Sequence, residues 1–129
     1  MAWLFGGGWP ITQIVQAIGI HIPGPDGVGG RVPDLTLWSK PLPASAVWLP
    51  TTDLALAIEI ISRGSESIDQ LVKVAEYASA GIPRYWTVAR DAAHTATLFR
   101  LTDSGVYETV AQMPLDQLLA TTPGDHLQA

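Results

Sequence analysis

The sequence predicts an α/β (α+β) fold, a mixed central β-sheet flanked by helices. Three observations carry that reading. Short runs rich in Val, Ile, Thr and aromatic residues stand on both sides of one amphipathic stretch, 68–81. The segment "LALAIEIIS" at 54–62 is aliphatic except for Glu59, as in a strand buried on both faces. Strands, one helix and further strands, in that order, suit a mixed sheet with helical cover.

Each element can be justified along the chain. Pro10 followed by Ile11, Ile14, Val15 and Ile18 has helical spacing, with proline allowed in a first turn, so a short helix is expected there. "GIHI" and "RVPDLTLW" read as strands around the turn-rich "PGPDGVGG", which suggests a hairpin or loop. "PLPASAVWLPTT" is a proline-punctuated connection, and Asp53–Ile61 is the central strand, with Asp53 as a solvated cap. "SRGSES" offers capping hydroxyls to the helix that follows. Ile68, Leu71, Val72, Ala75 and Ala78 give that helix its apolar stripe, and Gly81 with Pro83 ends it. "RYWTVA", "ATLFRL" and "GVYETVA" are strands, joined through "RDAAHT" and "TDSG", and "LDQLLA" is a closing helix. No internal repeat interrupts the pattern.

Length and composition bound the function. A chain of 129 residues, 47% hydrophobic and 15% charged, has room for one domain, 1–129, with a sizeable core. With no cysteine, thiolate metal sites, disulfides and cysteine nucleophiles are excluded, which suits a reducing, cytoplasmic setting. The net charge of −5 argues against nucleic-acid binding through bulk positive charge and leaves room for a locally basic cleft. Residues 1–25 carry no charged side chain, yet glycine, proline and glutamine interrupt the apolar run. No membrane span is expected there. The three histidines lack ligand spacing: His94 reads as a turn residue and His126 as tail. The five tryptophans read as core or interface anchors.

Glu59 raises the chemical question, because a buried, unpaired carboxylate is too costly to persist. Residues two apart in a strand share a face, so Asp34 lies with Thr36 and Trp38, and Glu59 with Ala57 and Ile61. If those strands are neighbours, two carboxylates converge, and a hard cation such as Mg²⁺ would compensate them. Lys73 is the candidate positive group, with Asp69 one turn before it and Tyr77 one turn after on the same helix face.

The series "RVPDLTLW", "DLALAIEIISRGSE" and "DQLVKVAEYASAGIPRYWTV" resembles the Uma-type family of restriction endonucleases, within the PD-(D/E)XK nuclease superfamily. The resemblance runs from about Arg31 to Val88 and continues weakly through "TLFRL" and "GVYE". It implies a restriction-endonuclease-like fold and Mg²⁺- or Mn²⁺-dependent hydrolysis of phosphodiester bonds, with DNA as substrate. Carried over by position, Asp34 and Glu59 are the acidic metal ligands, the Ile60 carbonyl is a further ligand, Lys73 is the catalytic lysine, and Tyr77 matches a tyrosine of unassigned role. The chain also departs from the pattern. Ile61 stands where the wider superfamily has its lysine, and Ser62 and Arg63 stand where relatives read serine-proline. The region before the hairpin is short, which implies an apolar face needing a partner subunit, as in a homodimer.

Plainer readings stand beside these. Asp34 after Pro33 suits a turn, Glu59 a structural ion pair, and Lys73 with Tyr77 a solvated helix face. Arg31, Arg63 and Arg84 either line a phosphate path or are surface charges. Two functions of different class follow: a metal-dependent nuclease, or a catalytically inactive, shortened remnant of the fold acting as an interaction or dimerisation module.

Overall fold

The computed structural model describes residues 2–24, 27–43, 48–61 and 68–127. Its centre is a six-stranded mixed sheet in the order β1-β4-β6-β7-β8-β9. These strands are β1 (Ile14–Gln16), β4 (Leu35–Trp38), β6 (Leu54–Ile61), β7 (Arg84–Ala89), β8 (Thr95–Leu101) and β9 (Tyr107–Pro114). All neighbours are antiparallel except β6 and β7, which run parallel. A parallel pair needs a crossover, and helix α2 (Ile68–Ser79) lies in that connection. Gly81 follows it at φ +76, a left-handed conformation in which a side chain would be strained. The apolar run at 54–61 is thus a central strand, with β4 on one side and β7 on the other.

Period-two alternation divides the sheet's side chains between two cores. Tyr77 and Ile82 pack with Ala57, Tyr85 and Trp38 on the face that α2 covers. Leu37, Leu56, Trp86, Ala96 and Leu98 face the other way, onto Leu4 of α1 (Ala2–Gly6), Leu118 of α3 (Leu115–Leu119) and Leu127 of α4 (Gly124–Leu127). The chain's own helices therefore cover the face expected to need a partner. His126, expected in a tail, belongs to α4; it hydrogen-bonds Thr121 and lies 6.0 Å, edge-on, from Trp86.

A second sheet, β3-β2-β5, was not expected. It joins β2 (Gly19–Gly24), β3 (Gly27–Arg31) and β5 (Trp48–Leu49). "GIHI" pairs with the glycine-rich stretch read as a turn, while Leu35–Trp38 leaves for the main sheet. Ile20 and Ile22 anchor the small sheet in the α2-side core. Alternation turns Gly19 and His21 outward, where the Trp48 ring lies over Gly19 and Gly30. The helix expected from Pro10 to Ile18 is instead a single 3-10 turn, Ile11–Gln13, followed by β1. Ala17 explains the difference: at φ +51 it turns the chain sharply, so Ile14 enters one core and Ile18 the other. The "SRGSES" segment, Arg63 included, lies outside the described residues. Among the described residues no helix is long and apolar enough to cross a membrane.

Candidate active site

Among the described residues Glu59 is one of three buried polar or charged ones, with Thr36 and Thr87, and all three fall on the α2 face. Thr36 is satisfied locally, accepting from Trp38 Nε1 at 2.7 Å and donating to the Val15 carbonyl at 3.0 Å. Glu59 draws its partners from two other elements. Tyr77 on α2 donates its hydroxyl to Oε1 at 3.1 Å, and Tyr85 on β7 donates to Oε2 at 2.9 Å. Lys73, one turn before Tyr77, brings its ammonium to 3.6 Å from Oε2. At that distance the contact is ionic rather than a hydrogen bond.

The electrostatics agree with this assignment of donors. Burial, reinforced by the Glu59 charge, pushes both the Tyr77 and Tyr85 phenols well above the ordinary tyrosine value. Both phenols therefore keep their protons and act as donors. The acid inside the aliphatic strand is thus compensated by two phenols and an ammonium.

Asp34 arrives from the neighbouring strand. The β4–β6 ladder ends at Leu35 with Ile58, one residue short of Asp34 and Glu59. Asp34 Oδ2 also accepts the Ile60 amide at 2.7 Å, tying the strand ends together. The amide and carbonyl of one strand residue point to the same side, so the Ile60 carbonyl lies on the same side of β6 as its amide, toward β4.

The main sequence-derived candidates lie at one end of β6: Asp34 bound to the Ile60 amide at the strand end, and Glu59 beneath Lys73 and Tyr77 of α2. Asp69 belongs to α2, but its side chain is outside the described residues. Arg31 makes a two-point pair with Glu76 at 2.8 and 3.1 Å, and so ties the small sheet to α2. Arg84 lies on the opposite face, lining a cavity with Trp86 and Arg100. Two members of the Glu59 network escaped the sequence reading: Tyr85 and Gln70, whose amide donates to the Tyr85 hydroxyl at 3.2 Å. Gln70 was within reach, because Gln70, Lys73 and Tyr77 follow the i, i+3, i+7 spacing of one helix face. A cleft lined by Ile60, Val88, Arg90 and His94 was also missed.

Among the described residues no three His, Asp or Glu side chains converge to hold a metal. Two carboxylates and a carbonyl fit Mg²⁺ nonetheless, since that ion is usually bound through one or two carboxylates, with waters and substrate phosphate completing its shell. A family model described as Uma2, putative restriction endonuclease, matches residues 2–127. No curated protein matches the chain.

Proposed function

The chain belongs to the Uma2 family of putative restriction endonucleases, and from that premise we propose a metal-dependent endonuclease that hydrolyses phosphodiester bonds of DNA. The observation that carries the proposal is the arrangement around Glu59: a buried carboxylate with the Lys73 ammonium at 3.6 Å, and Asp34 bound to the amide of the next residue, Ile60, at 2.7 Å. In this reading Asp34, Glu59 and the Ile60 carbonyl hold Mg²⁺ or Mn²⁺. When bound, the ion supplies positive charge at a phosphoryl oxygen.

The chain's own residues do the rest. Lys73, on α2 above the strand end, places a second positive charge beside Glu59, where negative charge develops as the phosphodiester is attacked. Tyr77 keeps one oxygen of Glu59 in a fixed direction. Asp34 is oriented by the Ile60 amide, so the edge carboxylate arrives preorganised. Because the net charge of −5 opposes DNA, affinity rests on local contacts, and binding weakens steeply with salt.

A second reading has its own observation. Tyr77, Tyr85 and Lys73 already compensate Glu59 without an ion, which suits an inactive member acting as an interaction or dimerisation module. Incubation of the pure protein with supercoiled and single-stranded DNA, with Mg²⁺ or Mn²⁺ and with chelator, separates the two. The nuclease reading expects nicking that chelator abolishes and that Lys73→Ala lowers by about 100-fold or more. Nicking that persists unchanged in Lys73→Ala, or none under any metal, would overturn it.

A further inference from the structure

We infer that Tyr85, with Gln70 behind it, is the positioning residue that holds Glu59 in its ion-binding orientation and keeps it apart from Lys73; this rests on the metal-dependent reading of the site. The direction of the hydrogen bonds carries the argument. A phenol has one proton to give. Gln70 Nε2 donates to the Tyr85 oxygen at 3.2 Å, so the Tyr85 proton is left for Glu59 Oε2, which it meets at 2.9 Å. The relay runs one way, from helix amide to strand phenol to carboxylate.

The Tyr85 ring cannot drift from this role. It is fully buried, with Tyr77 packed edge-on at a 4.7 Å centroid distance and Phe99 stacked at 5.9 Å. Tyr107 lies 6.0 Å away, fixed by its own hydrogen bond to the Ile82 carbonyl at 2.7 Å. The Glu59 carboxylate is softer, since the terminal torsion of a glutamate is broad. Its Oε2 has two suitors, the Tyr85 hydroxyl at 2.9 Å and the Lys73 ammonium at 3.6 Å. Without the hydroxyl, the carboxylate turns to the ammonium and closes a tight ion pair. That change withdraws an ion ligand and the proposed charge-stabilising lysine together.

Calorimetric Mn²⁺ titration of the full chain tests this, alongside nicking rates. Tyr85→Phe removes one oxygen and leaves the ring packing intact. Its Mn²⁺ affinity is expected to fall by about 10-fold, as on loss of a partner that orients a metal ligand. The KM for DNA should not move. Gln70→Leu shifts Mn²⁺ affinity in the same direction by less, and adds nothing in the Tyr85→Phe background, because Gln70 acts through that hydroxyl. Should Tyr85→Phe fail to fold, the partly buried Gln70→Leu variant carries the test alone.

Wild-type Mn²⁺ affinity in Tyr85→Phe, with binding lost in Glu59→Gln, overturns the positioning role and leaves the nuclease reading standing. Independent, additive effects of the two substitutions overturn the relay. Absence of both Mn²⁺ binding and nicking in the wild-type chain overturns the nuclease reading and this inference together.

Discussion

The two faces of the six-stranded sheet are built on different terms. Behind it, against α1, α3 and α4, the buried residues are apolar throughout: Leu4, Ile14, Leu37, Leu56, Trp86, Ala96, Leu98 and Leu118. In front, beneath α2, lie Thr36, Glu59 and Thr87, the buried polar and charged residues of the described chain. One sheet thus separates packing from chemistry by alternation along its strands. In β6 the division falls between successive residues, Leu56 backward and Ala57 forward, Ile58 backward and Glu59 forward. The rear face holds the sheet in place so that the front can carry groups that would otherwise destabilise it.

The largest expected effect breaks the comparison from the front. Glu59→Gln should lower metal-dependent nicking by on the order of 10³-fold, the equivalent of several kcal/mol of lost transition-state stabilisation. Its unfolding free energy should change less than that of any large-to-small change behind the sheet. The converse test is Leu56→Ala, which empties a fully buried position of the rear core. Denaturant unfolding should show a loss of about 3 kcal/mol, with Mn²⁺ affinity unchanged in the folded protein. If Leu56→Ala also weakens Mn²⁺ binding, the two faces are not separable.

A smaller effect is expected where the front face is tied to the small sheet. The Arg31–Glu76 pair is about a third exposed at both partners, 30% and 33%, so solvent screens it. Arg31→Met should cost only about 0.5–1 kcal/mol in thermal or chemical unfolding. Smallest of all is the Asp91 turn between β7 and β8. The Thr95 amide at 2.9 Å and hydroxyl at 2.8 Å hold the Asp91 carboxyl below its ordinary value. A depressed folded pKa gives stability that is complete above the unfolded value, near 3.8, and is lost as pH falls through the lower, folded one. Asp91→Asn should flatten that acid limb in unfolding midpoints measured against pH.

Local pattern made most of the front face legible. The aliphatic run at 54–61, the stripe on α2 and the alternation in 84–89 name their own elements, because burial on a sheet or helix imposes a period. Asp34, Glu59, Lys73 and Tyr77 could be placed on faces for the same reason. The family match over 2–127 extends well past the Arg31–Val88 stretch that carried the resemblance. Tyr85 was not legible, since its tie to Glu59 depends on the parallel pairing of β6 with β7, a register no local pattern records. The stretch 10–18 misled because isoleucines four apart satisfy a helix as well as two separate cores joined by a left-handed Ala17. Gly30 read as part of a turn because its place in a strand is fixed by a ring distant in sequence, that of Trp48.

That ring has an evolutionary corollary. A methyl group on Gly19 or Gly30 would sit 2.4–2.5 Å from Trp48 carbons, closer than any real contact allows. Alanine at either position must therefore push the indole off its seat. The three positions are therefore coupled: a side chain at either glycine calls for a displaced indole or a smaller residue at position 48.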